Sequence, residues 1–231
     1  GLVLVARHFG GVRRVLAMIV PAELGDAAAL KRMFGLSRDL MIRSIALMGA
    51  YAYFAAQGSR MGELALGANA ILLNLLMIGA FFLDGIAQAA EQLCGKSVGA
   101  NWRPAFDRAY ALSMRLGFVI AFGLTVLWLV AGPWLIDVMT TSEPVRAHAR
   151  EFLWYAALAM ITSMPGFLYD GILTGVTMNA VMRNGMVASL AVFLVAALVL
   201  QPLLGNAGVW LSLHIWFVVR GAYYWGWIVR R

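Results

Sequence analysis

The stretch LALGANAILLNLLMIGAFFLDGIAQAAEQLC, residues 64–94, decides the fold, and only two of its side chains, Asp84 and Glu91, are charged. At about 1.5 Å per residue a helix of this length is longer than the roughly 30 Å hydrocarbon core of a bilayer. It therefore reads as a transmembrane helix that tilts, bends near Gly79 or Gly85, or projects into water. The two carboxyls are the anomaly, because a carboxylate in hydrocarbon is costly and is kept where it has a partner or a task.

The rest of the chain agrees with a membrane solvent. Of its 231 residues, 62% are hydrophobic and 13% charged, against the roughly 25% charged residues of a soluble domain. The net charge of +7 does not indicate nucleic acid, because the cations lie between apolar runs and form no basic face. Cys94 is the only cysteine, so no internal disulfide forms, and His8, His148 and His214 lack metal-ligand spacing. No cofactor or metal is expected. No nucleophile–base constellation lies within the spans, which argues against an enzyme.

Six apolar segments are long enough to cross, at residues 38–57, 64–94, 105–131, 147–176, 185–201 and 207–229. Pro165-Gly166 marks an expected kink in the fourth. Residues 1–9 read as the end of a truncated transmembrane helix. Residues 10–37 read as a cytoplasmic loop whose segment 22–34 forms a short amphipathic helix, and residues 38–231 as a six-helix lobe. Twelve cations fall on one side: Arg7, Arg13, Arg14, Lys31, Arg32, Arg38, Lys96, Arg103, Arg108, Arg183, Arg230 and Arg231. Three fall on the other, Arg60, Arg146 and Arg150, where Asp137, Glu143 and Glu151 dilute them. The first loop and the C-terminus are therefore expected in the cytoplasm. Arg43, Arg115 and Arg220 are expected to snorkel from span ends, and Trp128, Trp134, Trp154, Trp225 and Trp227 to anchor at the interfaces.

Helical geometry puts Asp84, Gln88 and Glu91 along one stripe, with Ile86, Ala89, Ala90 and Leu93 opposite. Asp84 lies about 18 Å along the helix from Lys96, deep in the bilayer. Asp170, thirteen residues before Arg183, lies at similar depth and is followed by Thr174 and Thr177. Burial disfavours the charged form of a carboxyl, so a deep aspartate is able to exchange protons, or to hold Na⁺ or an organic cation when ionised. Ion and substrate then compete for one charge, which is the logic of antiport. The bland reading is that Asp84 and Asp170 are structural hydrogen-bonders. Glu91 either faces headgroups and pairs with Lys96 or serves transport. Asn69 and Asn74 read first as interhelical glue, and Gly79, Gly85, Gly171 and Gly175 as sites of close packing or bending.

Four stretches, IRSIAL with AAQGSRMG (42–62), LALGANAILLN (64–74), FFLDGIAQAAEQLCGKSVGA (81–100) and DGILTGVTMNAVMRNGM (170–186), resemble the C-terminal half of a multidrug and toxic compound extrusion (MATE) transporter. The resemblance is nearest to the DNA-damage-inducible F (DinF-like) branch. It implies an all-α polytopic fold in which six transmembrane helices form one lobe of a twelve-helix carrier. It also implies a missing N-terminal lobe as partner, a small organic substrate, and location in the bacterial inner membrane. The implied activity is export of organic or cationic compounds in exchange for H⁺ or Na⁺. Asp170 resembles the acidic position that some members use for cations. Those members pair it with a glutamate in the helix where this chain has Arg43. The candidate cation- and substrate-binding set is Asp84, Asp170, Glu91, Gln88, Asn69, Asn74, Arg43 and Thr174. Two alternatives remain, a lipid-linked precursor flippase, which a basic cavity would favour, and a non-transporting truncated fragment.

Overall fold

A computed structural model describes residues 27–229. The expected helix end at residues 1–9, residues 10–26 of the expected loop and the pair Arg230-Arg231 lie outside the described residues. The described residues form six helices: α1 Ala27–Arg60, α2 Glu63–Gly99, α3 Arg103–Met139, α4 Glu143–Gly175, α5 Asn179–Leu204 and α6 Asn206–Val229. A boundary between Asp39 and Leu40 divides the chain into two compact units, and the second, Leu40–Arg231, holds all the candidate site residues. The short amphipathic helix expected at 22–34 is not a separate element. Its described part is the first turns of α1, because no proline or glycine pair interrupts the helical hydrogen bonding before Arg60.

The six spans appear where hydropathy places them, each longer than the apolar run that marks it. Polar ends extend them: α2 begins on Glu63 and closes near Lys96, charges that suit the positive N-terminal and negative C-terminal poles of a helix. Helix α4 stays helical through Pro165, and α3 and α5 hold Pro133 and Pro202 within them. By length and composition alone, α2, α3, α4 and α5 qualify to cross a membrane among the described residues. Helix α1 carries Arg38, Asp39 and Arg43, and α6 carries Arg220 together with four tryptophans and two tyrosines, which lowers their hydropathy.

Helix α4 is the hub, packing most extensively on α2 and also on α3, α5 and α6. It is buried on nearly all sides, from Ala149 and Ala156 to Leu168, Tyr169 and Leu173, as a helix apolar around its circumference must be. The α2–α4 crossing is close because glycine removes the side chains that would hold the backbones apart. A β-carbon on Gly171 would collide with the carbonyl of Ala87, one on Gly175 with that of Glu91, and one on Gly95 would come within 2.8 Å of the Gly175 carbonyl. Small residues at such spacing are the usual means by which helices approach in lipid. Gly79 likewise receives Met160 and Trp128, whereas nothing lies within 4 Å of a β-carbon on Gly85.

An aromatic core joins α1, α4 and α6. Phe54 meets Trp210 edge-on at 4.9 Å, and Tyr51 meets Trp216 at 5.8 Å. The outer surface is apolar: Phe81, Val130 and Leu203 are each more than 70% exposed, which suits hydrocarbon as solvent. Trp134, Trp154, Trp225 and Trp227 are exposed, but Trp128 is not an interface anchor; it is buried over Gly79. Between α3 and α4, Asp137 pairs with Arg146 and Arg150, and Arg146 also bonds Glu143 at 3.2 Å. Arg146 and Arg150 are thus neutralised locally.

Candidate functional site

Arg43 on α1, Asp84 on α2, Asp170 on α4 and Arg220 on α6 bring four charges from four helices to one place inside the second unit. Asp170 is the centre. Its Oδ2 accepts a hydrogen bond from Nη2 of Arg43 at 2.7 Å, and Nη1 of Arg220 stands 4.0 Å from the same oxygen. Oδ1 has no hydrogen-bond partner among the described residues. Asp84 forms no ion pair there, yet lies within electrostatic range of Arg43, Asp170 and Arg220.

The local sequence explains each placement. Asp170 directly precedes Gly171, where α4 comes closest to α2, so its side chain enters the cluster beside the crossing. Gly166, one turn earlier, has no β-carbon to obstruct Arg220; one there would fall 2.6 Å from Nη2 of that guanidinium. Arg220 is then enclosed by Phe167, Trp216 and Phe217, with its guanidinium carbon 5.2, 5.5 and 5.9 Å from the three ring centres. Aromatic faces attract a weakly hydrated planar cation, so this cage offsets part of the cost of burial. Tyr224, one turn beyond Arg220, is fixed by donating to the Met182 carbonyl at 3.0 Å.

Exposure separates the two arginines. The side chain of Arg220 is 2% exposed, that of Asp170 8%, and that of Arg43 24%. Arg43 and half-buried Asp84 therefore form the accessible edge of the cluster, and Arg220 its closed back. Neither arginine snorkels from a span end; both turn inward towards Asp170, because a buried carboxylate attracts them more strongly than an interface does. Arg115 is exposed on α3 and takes no part. A carboxylate held by a partly exposed guanidinium is able to exchange that partner for a proton or another cation.

The other expected site residues scatter. Asn69 is fully engaged elsewhere: its Oδ1 accepts from Asn206 Nδ2 at 3.1 Å and from Trp210 Nε1 at 3.0 Å, and its Nδ2 donates to Asn206 Oδ1 at 2.7 Å. It holds α2 to α6, with both lone pairs of Oδ1 and one amide hydrogen in use. Asn74 and Gln88 are exposed. Glu91 is half-buried without an ion pair to Lys96 or any other described residue, while its own backbone carbonyl faces Gly175. Thr174 donates to the backbone carbonyl of Asp170 at 2.8 Å, so it trims the helix and leaves the carboxyl free. The buried stripe of α2 is Leu83, Ala87, Ala90 and Cys94, so Ala90, on the face expected to meet lipid or neighbouring helices, meets helices.

Arg220 is the site residue that the sequence alone does not reveal. The available signal is its position: an arginine within WFVVRGAYYW, ten residues before Arg230, stands about 15 Å along a helix from that end. That is too deep for an ordinary interfacial cation. Sequence depth does not give rotation, and only the packing of α6 on α4 shows which way it points.

Comparison with known proteins places this geometry. The model of the MatE family matches residues 40–203. The chain is 30% identical over 191 residues to DNA damage-inducible protein F of Escherichia coli, covering 83% of this chain and 41% of that protein. It is 24% identical over 204 residues to Protein DETOXIFICATION 43 of Arabidopsis thaliana, covering 87% of this chain and 38% of that one. The chain thus spans about two-fifths of the length of these relatives. Among solved structures, a MATE protein in a bent conformation matches with TM-score 0.81 at 15% identity, covering 93% of this chain and 48% of that one. A MATE multidrug resistance transporter in an outward-facing conformation matches with TM-score 0.78 at 18% identity, over 86% and 44% of the two chains. A MOP superfamily transporter from Pyrococcus furiosus, whose binding pocket is described as of reverse polarity, suggesting a different function, matches with TM-score 0.73 at 19% identity, over 86% and 44%.

Proposed function

This chain belongs to the MatE family, and from that premise we propose that it supplies one six-helix lobe of a secondary antiporter that exports organic, often cationic compounds. A second lobe of comparable size completes the carrier, which lies in the bacterial inner membrane. The loop before α1 and the C-terminus face the cytoplasm, on the side of the uncompensated cations.

The observation that carries the reading is the 2.7 Å bond between Arg43 and Asp170 with Arg220 beside it. Asp170 is a deep carboxylate whose counter-ion is a side chain, and an incoming proton or organic cation competes with Arg43 for it. Na⁺ needs several oxygen ligands, which the guanidiniums beside Asp170 do not offer, whereas a proton neutralises Asp170 without ligands of its own. The coupling ion in this reading is H⁺. Asp84, at the accessible edge, attracts the cationic cargo.

The test is accumulation in everted vesicles containing the full-length protein, whose lumen stands for the cell exterior. A proton gradient drives extrusion of a lipophilic organic cation, and a sodium gradient at equal pH on both sides does not. Extrusion that needs Na⁺ and ignores the proton gradient would contradict the assignment.

The two arginines also favour a second reading, an anionic or phosphate-bearing cargo such as a lipid-linked precursor. The same vesicles decide: accelerated movement of an organic anion, with no effect on the cation, selects it.

A further inference from the structure

Away from the charge cluster, the ends of α2, α3, α4 and α6 enclose a cavity of about 580 Å³. Its accessible apolar lining includes Val98 of α2, Phe106 of α3 and Met178, while Arg103 and Asp107 of α3 stand at its wall and Trp102 and Trp227 are among its lining residues. The volume lies within the roughly 300–1,000 Å³ typical of small-molecule sites. We infer that this cavity is a binding site for a zwitterionic phospholipid with a primary ammonium headgroup: Arg103 takes the phosphate, Asp107 takes the ammonium, and the acyl chains run over the apolar lining.

Three observations carry this. First, Arg103 and Asp107 are exposed and, among the described residues, have no ion pair with each other or with any other group. They are one helical turn apart, about 5–6 Å between β-carbons, a span that a phosphate and an ammonium joined by two carbons can match. Second, Arg103 lies in the first turn of α3, which contains no acidic residue. A cation there is unfavourable against the helix dipole unless an anion sits beside it. Third, the cavity offers surface to both parts of a lipid. The tryptophans Trp102 and Trp227 are 62% and 42% exposed, as aromatic residues at headgroup level are. Lys96 and Arg108 are exposed at the same end of the bundle, and the half-buried Phe106, Val176 and Met178 offer apolar surface beside them.

The assignment is independent of the transport cargo, which is proposed to bind at Asp170. It is tested by native mass spectrometry of the full-length protein released from nanodiscs of equal phosphatidylethanolamine, phosphatidylcholine and phosphatidylglycerol. The wild type retains phosphatidylethanolamine preferentially, because its ammonium donates charge-assisted hydrogen bonds to Asp107, whereas choline has no donor and the glycerol hydroxyls of phosphatidylglycerol are uncharged. Asp107→Asn lowers the ethanolamine-to-choline ratio at least about fivefold, and Arg103→Gln lowers retention of all three lipids. Both side chains are exposed, so both variants are expected to fold, and circular dichroism verifies this. An unchanged lipid ratio in Asp107→Asn, or unchanged retention in Arg103→Gln, overturns the assignment. A further arm adds soluble glycerophosphoethanolamine. Failure to displace the lipid supports a membrane source, and displacement at micromolar concentration overturns it in favour of a free metabolite.

Discussion

Nη2 of Arg43 donates to Oδ2 of Asp170 over 2.7 Å although 127 residues separate them in the chain. Arg220 stands 4.0 Å from the same oxygen. One carboxylate thus serves two arginines from two other helices, and the stability of the lobe depends unequally on the three. Asp170→Asn leaves both guanidiniums without their counter-ion, and removing one partner of a buried pair costs about 3–5 kcal/mol. Arg43→Gln costs less, because Arg43 is partly exposed and Arg220 still faces the carboxylate. Denaturation midpoints in detergent give the order: Asp170→Asn well below Arg43→Gln, with the wild type highest. Equal midpoints for all three proteins would show that the cluster carries no structural weight.

The α2–α4 crossing makes a steric prediction. A methyl group at Gly171 meets the Ala87 carbonyl, and neither backbone is able to yield. Gly171→Ala is expected to destabilise by about 1–3 kcal/mol, as overpacking does. Gly85→Ala, with open space around it, is expected to be neutral or slightly stabilising, since alanine is the better helix former. Thermal unfolding followed by tryptophan fluorescence compares the two.

Asn69 distinguishes holding helices together from binding cargo. Its bonds to Asn206 and Trp210 tie α2 to α6, and interhelical hydrogen bonds in membranes are worth about 1–2 kcal/mol at most. Asn69→Leu is therefore expected to lower the unfolding midpoint modestly while the folded protein transports normally. Asn74→Ala, on the exposed side of the same helix, changes neither. A loss of transport at unchanged stability in Asn69→Leu would return Asn69 to the site.

Topology has its own reporter. Cys94 is the only cysteine and is fully buried, so a maleimide leaves the folded protein unlabelled and modifies it once denatured. In a Cys94→Ala background, Lys96→Cys is exposed two residues further along α2. The charge distribution predicts that a membrane-impermeant maleimide reaches it in everted vesicles and not in intact cells. Labelling in intact cells would invert the orientation.

Much of this arrangement is readable in the chain. The six spans follow from apolar runs of bilayer length, and Asp84 and Asp170 stand out as carboxyls too deep to be incidental. The family resemblance leads to the right lobe architecture. Rotation about each helix is less accessible. The Asp84–Gln88–Glu91 stripe does not face in as a unit, because glycines on α4 draw the backbones of Ala87 and Glu91 into the crossing and leave Gln88 exposed. Snorkelling is the usual escape for a cation in lipid, and it would send Arg43 and Arg220 to the interfaces. The partner that reverses this, Asp170, lies 127 residues from one and 50 from the other. No local pattern records such a pairing. The satisfaction of Asn69 depends on Asn206 and Trp210 in the same way.

The central claim is that Asp170 is the carboxylate at which cargo and coupling ion exchange with Arg43. Its most direct test is proton-driven export of an organic cation into the lumen of everted vesicles bearing full-length Asp170→Asn, with the amount of folded protein in the membrane measured in parallel. A fall of at least about tenfold per folded molecule, equivalent to about 1.36 kcal/mol or more in the barrier, is the predicted result. Export at the wild-type rate with unaltered dependence on the proton gradient would contradict the claim.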